Sequence, residues 1–363
     1  MKILHFVTGG FSGATQVAVD LCMASIQSHD AEVLLVLRRK KNTDNARVQA
    51  LVKLGLNVQV VPGWSHMATI FALYKIAKKF QPDILVAHGF SEHLWGRYAG
   101  LLAKVPHLVH VEHNSKERYS RWRLWQAQWL AQRTAAIVGV SEGVKNALLE
   151  HGFPAEICKA IPNGINLDHF QENALIPWGH RQQTIIMASR FARQKDQSTL
   201  IEALGILKRK GIHHQLEFAG LGKNRLIKKA QQQTLALNIE QQVQFLGQVK
   251  GLSSVLMNRQ IFILSTHYEG MPLALVEAMA AGCACIGTNV VGVREVIDDG
   301  INGLLVPEND APALAKAIEK LITNPEQAHL MARAAREKAI RCYGMSTMYK
   351  GYATLFREIT GML

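Results

Sequence analysis

Short apolar runs rich in β-branched residues alternate with amphipathic segments along almost the whole chain, and this alternation constrains the fold more than any other feature. The apolar runs cover residues 3–8, 32–37, 83–88, 107–113, 135–140, 184–190, 215–220, 243–247, 261–266 and 284–288. Near-continuous apolar strands separated by helices are typical of parallel sheets that are covered on both faces. The pattern therefore predicts an α/β fold.

The length of the chain predicts two domains. Its 363 residues exceed what one core holds, because single hydrophobic cores stop growing at about 250–300 residues. The alternation weakens in the polar stretch 171–183, which contains Pro177 and Gly179. We expect two doubly wound, Rossmann-like domains that face each other across a cleft. The first comprises residues 1–170 and a C-terminal helix at 345–363, and the second comprises residues 171–344. Ligands of such sheets bind at the carboxyl ends of the strands.

The charge balance favours some partners over others. The net charge of +13, from 41 basic and 28 acidic residues, favours phosphate-bearing ligands or anionic membranes. Nucleic acid is not predicted, since the sequence contains no zinc finger, basic zipper or RNA-binding aromatic motif. The apolar runs are interrupted well before the roughly 18 residues of a membrane span, and residues 1–10 lack a cleavage site. We therefore expect a soluble, cytoplasmic chain.

The cysteines and acidic pairs do not suggest a metal. Five scattered cysteines without a CxxC spacing indicate a reducing compartment and no structural metal. Cys283 and Cys285 lie in an apolar run and are expected in the core. The sequence has no Asp-x-Asp, and Asp298 and Asp299 precede Gly300 in what reads as a turn.

The segment 266–282, THYEGMPLALVEAMAAG, carries the most chemistry. It leaves an apolar strand, crosses a Gly-Pro loop and enters a helix. Pro272 suits the first helical turn, and the amides of Met271, Leu273 and Ala274 would then be open to a phosphate. Glu277, one to two turns into this helix, can accept two hydrogen bonds from a ribose diol. Taken alone, the segment is equally compatible with a capped surface helix bearing solvated glutamates.

The adjoining sequences decide between these readings. Residues 278–287 and 291–307 continue one pattern with this segment, and the chain resembles the retaining GT-B glycosyltransferases of family 4, the group 1 glycosyltransferases, over most of its length. Glu269 and Glu277 match the E-x7-E motif of that family. The resemblance implies that Glu277 holds the donor ribose and that Glu269 lies beside the transferred sugar and its leaving phosphate.

A second matching segment, residues 188–196, directly follows the first strand of the second domain. Arg190 and Lys195 match the family's R-x4-K pair, which the resemblance implies binds the donor diphosphate. Without a metal, the charge that develops on a leaving nucleoside diphosphate needs fixed cations. Arginine offers a planar fork and lysine a point charge. Arg193 reads as a solvated residue. The segment 245–249 matches the loop that lines the nucleotide base through backbone groups, and it ends at Val249.

The first domain opens with VTGGFSGATQ at residues 7–16. Its Gly10-x-x-Gly13 spacing is not the dinucleotide fingerprint, and no acidic residue ends the second strand, so nicotinamide binding is disfavoured. Glycine at this turn lets a donor phosphate or an acceptor approach the backbone. In the resembling family the second glycine of a Gly-Gly pair approaches the donor. Gly13 takes that place here, and Ser12 replaces the first glycine.

Histidines crowd the strand ends of the first domain, at His88, His93, His107, His110 and His113. His113 matches a family histidine that hydrogen-bonds the donor sugar or backs the reacting centre. His88, which ends its own strand, is a further candidate on the acceptor side. We interpret His107 and His110 as structural.

The stretch 115–133 combines aromatic and basic residues. Trp122, Trp125 and Trp129 share one helix face, and Arg118, Arg121 and Arg123 lie nearby. Such a helix could lie on an anionic membrane. Equally, the tryptophans could pack against the sheet, because the helix must bury one face in any case.

These features together predict a transferase that moves a hexose, with retention, from a UDP- or GDP-sugar to a hydroxyl of a lipid-linked, lipopolysaccharide or surface glycan. No metal or other cofactor is expected, and the chain would act in the cytoplasm, either free or at the inner face of the plasma membrane. No nucleophilic side chain stands out in the first domain, which agrees with the front-side displacement that the resemblance implies. The alternatives are a sugar-nucleotide epimerase on the same scaffold and a non-catalytic membrane-associated protein.

Overall fold

A computed structural model of the protein describes residues 1–41, 43–116 and 119–362. The chain divides into two compact units, of which the first comprises Met1–Gly164 with Met345–Leu363 and the second comprises Ile165–Gly344. Each unit is built around one parallel sheet.

The sheet of the first unit contains seven strands within the described residues, in the order β3-β2-β1-β4-β5-β6-β7, all parallel. The strands are β1 Lys2–Thr8, β2 Glu32–Arg38, β3 Val58–Val61, β4 Ile84–His88, β5 His107–Glu112, β6 Ala136–Gly139 and β7 Cys158–Ala160. The central strands are buried along almost their whole length, which is why they read as continuous apolar runs.

The helices of the first unit connect these strands, and the last helix of the chain returns to the same unit. They are α1 Gly13–Ser28, α2 Asn45–Lys53, α3 His66–Phe80, α4 Glu92–Ala103, α5 Arg121–Ala131, α6 Glu142–Glu150 and, after the second unit, α14 Met345–Thr360. Helix α14 packs on α1, and Tyr349 shares a hydrogen bond of 2.8 Å with Ser28.

The sheet of the second unit has six parallel strands in the described part of the chain, in the order β10-β9-β8-β11-β12-β13. The strands are β8 Gln182–Ala188, β9 Leu216–Ala219, β10 Val243–Gly247, β11 Arg259–Leu264, β12 Ala284–Thr288 and β13 Leu304–Val306. The helices are α7 Gln197–Arg209, α8 Asn224–Ala236, α9 Leu252–Met257, α10 Leu273–Ala280, α11 Val291–Arg294, α12 Ala311–Thr323 and α13 Pro325–Cys342.

Short polar side chains fix where several helices begin. Ser120 accepts a hydrogen bond from the amide of Arg123, Ser141 from that of Val144, Asp196 from that of Thr199 and Asp310 from that of Ala313. Each of these oxygens satisfies one of the amides that the first helical turn leaves without a partner.

Each sheet reverses its strand order once, between β1 and β4 in the first unit and between β8 and β11 in the second. In open α/β sheets, the crevice at the carboxyl ends of the strands around such a reversal is where ligands bind. Within the described ranges, no helix combines the length and the apolar character that crossing a membrane requires.

Candidate functional site

In the second unit, the loops that follow β8 and β11 pair with each other at the point where the strand order reverses. The amide of Asp196 donates to the carbonyl of Ser265 at 3.1 Å, and the amide of His267 donates to the carbonyl of Gln194 at 2.9 Å. These backbone bonds hold the two matching segments, 188–196 and 266–282, together as one structural unit.

An ion pair joins the same two loops. Lys195 Nζ donates to Glu269 Oε1, and the two side chains are only 14% and 8% exposed. Glu269 also accepts from the hydroxyl of Thr266 at 2.9 Å, and Gln194 donates to the carbonyl of Tyr268 at 2.6 Å. A charge-assisted bond shielded from water is stronger than its exposed counterpart, so Lys195 and Glu269 have defined positions.

Arg190 lies at the start of the loop after β8 and is exposed. Its carbonyl accepts from the side-chain amide of Gln197 at 3.0 Å, which ties the loop to the start of α7. No hydrogen bond or ion pair engages the guanidinium within the described ranges. The side chain of Arg190 is therefore available for a ligand.

The sequence predicts Pro272 in the first turn of α10, but the helix begins one residue later, at Leu273. Pro272 occupies the preceding position, and its carbonyl accepts from the amide of Val276. Met271 and Pro272 are buried, whereas Leu273 and Glu277 are partly exposed. Glu277 lies four residues into the helix, which puts it on the same face as Leu273.

A glycine that the sequence interpretation did not single out supports this loop from behind. A Cβ atom at Gly292, in α11, would lie 2.4 Å from the carbonyl oxygen of Gly270 and 2.8 Å from that of Glu269. Only glycine allows the backbone of α11 to approach so closely. The glycine of the segment VGVR is evident in the sequence, but the contact that requires it forms only in the folded structure.

An aromatic cluster links the loop after β8 to the end of β10. The ring of Phe191 lies 5.6 Å from that of Phe218 and 5.9 Å from that of Phe245. Val249, two residues after β10 ends at Gly247, is partly exposed. The cluster therefore joins the loop after β8 to β9 and β10, and β10 leads into the loop that contains Val249.

In the first unit, the glycine-rich turn connects β1 to α1. Gly13 is the first residue of the helix, and a Cβ atom there would meet nothing within 4 Å. Phe11 has a φ of 49°, a conformation that costs free energy in a non-glycine residue. The hydroxyl of Thr15 donates to the carbonyl of Thr8 at 2.8 Å and fixes the turn. Packing does not require glycine at Gly13.

His113 directly follows β5 and is held from two sides. Its Nε2 lies 3.3 Å from Nδ1 of His88, and its backbone amide donates to Glu112 Oε1 at 2.8 Å. The ring is partly exposed, and burial lowers the pKa of His113 to about 4. The imidazole is therefore neutral at physiological pH.

The interpretation of His88 as an acceptor-side residue is wrong. Its ring is fully buried and lies between His5 and His113, so it cannot touch an acceptor. His110 is fully buried as well, as expected of a structural residue, and it stacks on His93 with ring centroids 4.0 Å apart.

A buried arginine contacts His93, which stacks on His110. Arg97 donates to the carbonyl of His93 at 3.2 Å and to the hydroxyl of Thr134 at 3.0 Å. Burial lowers the pKa of Arg97 to about 10, which leaves it charged at neutral pH. Sequence reasoning missed Arg97, because a single arginine in a helix gives no signal of burial.

The three tryptophans of α5 do not pack against the sheet. Trp122 is 66% exposed, Trp125 54% and Trp129 37%, and the rings of Trp122 and Trp125 stack on each other at 4.9 Å. The helix instead buries Ala127, Leu130 and Ala131. Packing therefore does not explain Trp122 and Trp125, whereas Trp129 is mostly covered and its ring lies 6.2 Å from that of Tyr98 in α4. Arg118, which was expected near them, lies outside the described residues.

The remaining expectations concern core and turn residues. Cys283 and Cys285 are fully buried, as predicted. Asp299 accepts from the amide of Leu305 at 2.8 Å, and Asp298 pairs with Lys338 at 2.9 Å. The interpretation of Asp298 and Asp299 as turn residues is confirmed.

Comparisons with known proteins match both halves of the chain. A family model described as glycosyl transferases group 1 matches residues 171–338, and one described as glycosyltransferase family 4 matches residues 11–169. The chain is 24% identical over 320 residues to the UDP-Gal:alpha-D-GlcNAc-diphosphoundecaprenol alpha-1,3-galactosyltransferase of Escherichia coli, over 83% of this chain and 81% of that protein. It is 26% identical over 263 residues to the amylovoran biosynthesis glycosyltransferase AmsK of Erwinia amylovora, over 69% and 61% of the two chains.

Solved structures share the fold. Anabaena HepE in complex with UDP superimposes with a TM-score of 0.86 at 21% identity, over 99% of this chain and 100% of that chain. The apo form of the lipopolysaccharide outer core galactosyltransferase WaaB superimposes with a TM-score of 0.75 at 18% identity, over 99% of each chain. The predicted pair of Rossmann-like domains of the GT-B class is confirmed.

Proposed function

Because the chain belongs to the group 1 glycosyltransferases of family 4, we propose that it transfers a hexose, with retention, from a nucleotide diphosphate sugar to a hydroxyl of a lipid-linked or surface glycan. Of the two nucleotides that the sequence favours, uridine has the better support. UDP is bound in the HepE structure, and the E. coli relative is named for a UDP-galactose donor.

The observation that carries the proposal is the joining of Lys195 and Glu269 at the carboxyl ends of β8 and β11, beside the start of α10. A diphosphate needs fixed positive charge, and Lys195 and the exposed Arg190 can supply it from one loop. The first amides of α10 add a further site for a phosphate oxygen. Glu277, in the second turn of the same helix, is in a position suited to a ribose diol.

In this proposal the residues divide the chemistry between them. Arg190 and Lys195 stabilise the negative charge that develops on the leaving diphosphate. Glu269 orients Lys195 and acts on the transferred sugar, while Val249 and its loop contact the base through the backbone. In the first unit, we propose that Gly13 leaves space for a ligand at the turn after β1 and that His113 offers a ring nitrogen.

Donor binding tests the site. We expect UDP-sugars to raise the melting temperature of the protein, because a ligand that binds only the folded state stabilises it, by about 2.7 kcal/mol at a hundredfold excess over Kd. Lys195→Ala and Glu277→Ala should remove most of that shift and lower kcat/KM by about 100- to 1000-fold. Lys316→Ala and Glu326→Ala, exposed residues of α12 and α13, are the matched controls. Unchanged donor affinity in both site variants contradicts the assignment.

Acceptor dependence tests the reaction. A transferase releases nucleoside diphosphate faster when the correct acceptor is added, whereas an epimerase alters the donor or releases free sugar without one. The anomeric configuration of the product, read by NMR, distinguishes retention from inversion. Turnover that is independent of every lipid-linked acceptor tested would favour the epimerase.

We further propose that the chain acts at the cytoplasmic face of a membrane, through the exposed tryptophan face of α5. The E. coli relative is named for a diphosphoundecaprenol acceptor, which is a lipid. Helix α4 packs against both α3 and α5, and α3 and the loop before it add the exposed Trp64, Met67 and Phe71. Aromatic side chains with nearby arginines suit an anionic interface.

A further inference from the structure

Three histidines of the first unit form a continuous row of hydrogen bonds that ends at His113. His5 Nδ1 lies 3.0 Å from His88 Nε2, and His88 Nδ1 lies 3.3 Å from His113 Nε2. Both ring nitrogens of His88 are therefore used within the row, as is one nitrogen of each outer histidine.

The strand register explains how residues so distant in sequence come together. Strand β4 lies between β1 and β5, with His5 opposite Val86 and His88 opposite Val111. Side chains two residues apart in a strand share a face. His88 is two residues after Val86, the partner of His5, and His113 is two residues after Val111, the partner of His88. The row thus runs diagonally across three neighbouring strands, from the core to the carboxyl edge of the sheet.

All three rings are neutral. Burial lowers the pKa of His5 to about 3 and that of His113 to about 4, and it lowers the pKa of His88 well below its usual value. A neutral imidazole carries one N–H donor and one acceptor nitrogen. Two hydrogen bonds between three such rings can therefore run in only one direction at a time, and the tautomer of each ring fixes that of the next.

The inner end of the row selects the direction. His5 Nε2 is buried and has no hydrogen-bond partner within the described residues. A buried N–H without an acceptor is rarer than an acceptor that lacks a donor, so Nε2 of His5 carries the lone pair and Nδ1 carries the proton. His5 then donates to His88, and His88 donates from Nδ1 to Nε2 of His113.

We propose that His88, backed by His5, is a positioning residue that holds His113 in the Nδ1–H tautomer, so that His113 presents an N–H donor to its ligand. A ring in this state donates a hydrogen bond to a hydroxyl, carbonyl or phosphoryl oxygen and does not act as a base. This role in transfer rests on the proposed function, because it assumes that His113 meets the donor sugar. The tautomer itself does not depend on that assumption.

NMR of the unsubstituted protein tests the tautomer. With ¹⁵N-labelled histidine, long-range ¹H–¹⁵N correlations distinguish Nδ1–H from Nε2–H rings, and through-bond correlations from the backbone of His113 to its ring assign the signal. We expect Nδ1–H for His113, whereas an unconstrained imidazole in water favours Nε2–H. An Nε2–H ring at His113 overturns the proposal without any variant, so a variant that fails to fold does not prevent the test.

Substitution of His88 tests the coupling. In His88→Leu we expect the His113 signal to move towards the Nε2–H pattern and kcat to fall by about ten- to a hundredfold, the range known for loss of the partner that orients a metal-binding histidine. KM for the donor should change less than kcat. His88→Asn, whose side-chain amide can still donate a hydrogen bond, should restore part of the Nδ1–H signal of His113 and part of kcat. His107→Leu, at the opposite end of β5, is the matched control and should leave both unchanged.

The outcomes separate this inference from the proposed function. An Nδ1–H ring at His113 that persists in His88→Leu overturns the role of His88. A tautomer change without a fall in kcat overturns the role of the tautomer in transfer. If the unsubstituted protein turns over no nucleotide sugar, the proposed function fails, and the NMR result alone decides whether the histidine row acts as inferred.

Discussion

Lys195 and Glu269 form an ion pair that joins the loops after β8 and β11, and both side chains are largely shielded from water. In the proposed function, the pair links the residue that binds the diphosphate to the residue that acts on the transferred sugar. A phosphate that approaches Lys195 must share its ammonium group with Glu269. The pair therefore couples the local structure of the unliganded site to its affinity for the donor.

The first prediction concerns this coupling. Lys195→Met and Glu269→Gln should each destabilise the second unit by up to about 3 kcal/mol, because each leaves a shielded charge without its partner. The double variant should cost less than the sum, with a coupling of about 0.5–3 kcal/mol. Denaturant unfolding of the four proteins measures it. Additive effects would show that the contact contributes nothing to stability.

The second prediction concerns Gly292. Its substitution by alanine places a Cβ atom 2.4 Å from the carbonyl oxygen of Gly270, and relief of such overpacking costs about 1–3 kcal/mol. The segment Glu269–Gly270 must shift, so donor affinity should fall together with the melting temperature. Gly179→Ala, at a site where a Cβ atom meets nothing within 4 Å, is the control. Full donor affinity in Gly292→Ala would contradict the supporting role of this contact.

The third prediction separates folding from ligand binding at Gly13. A Cβ atom there meets nothing within 4 Å, and exchange of glycine for alanine in an allowed conformation stabilises a protein by about 0.4–1 kcal/mol. We expect Gly13→Ala to melt at the same or a higher temperature than the unsubstituted protein and to lose activity. Unimpaired kcat/KM in this variant would remove Gly13 from the proposed site.

The buried strands of the sheets could be predicted from the sequence, but the short edge strands could not. Eight predicted runs overlap β1, β2, β4, β5, β6, β8, β9 and β11, and two coincide with β10 and β12. Burial on both faces makes the inner strands apolar, whereas β10 is a partly exposed edge strand that a short apolar run still predicts. Strands β3, β7 and β13 lie at sheet edges and are only three or four residues long. Such segments contain too few residues to show a recognisable run of apolar side chains.

The site could be predicted where one segment supplies several groups, and not where separate segments meet. Residues 188–196 and 266–282 were identifiable as sequences, but the bond between Lys195 and Glu269 depends on the pairing of β8 with β11. The histidine row likewise requires the strand order β1-β4-β5 and its register. Without that order, the sequence indicates a strand-end residue open to substrate at His88, whereas the ring is fully buried.

The fourth prediction concerns membrane contact through α5. Trp122→Ala and Trp125→Ala should each weaken binding to phosphatidylglycerol-containing vesicles by about tenfold, since burial of a large apolar side chain contributes about 1.5–3 kcal/mol. Binding should also weaken with salt, because Arg121 and Arg123 contribute electrostatically. Leu330→Ala, an exposed apolar residue of α13, is the control. Equal binding of all variants in a sedimentation assay would exclude this face as the contact.

The fifth prediction concerns acid stability, because six histidines of the first unit have lowered pKa values. Burial is the main cause at each, and the residues are His5, His66, His88, His93, His110 and His113. The unfolded chain titrates near 6.5, above the folded-state values of about 3 for His5 and about 4 for His113. As the pH falls below about 6.5, the unfolded state binds more protons than the folded state, so the free energy of unfolding decreases, by up to about 1.4 kcal/mol per pH unit for each buried histidine.

The pKa of Asp20 is shifted in the opposite direction, but Asp20 is one group against six. Burial raises its pKa to about 6, so the folded state binds its proton more tightly and gains stability as the pH falls from about 6 towards 3.8. The histidines should outweigh it, and the first unit should lose stability on acidification.

All the buried histidines in the described chain lie in that unit. Hydrogen exchange, corrected for the intrinsic pH dependence of the rates, should therefore show β1, β4 and β5 losing protection at a higher pH than β8 and β11. Simultaneous loss in both units would mean that the histidine cluster does not govern the acid response.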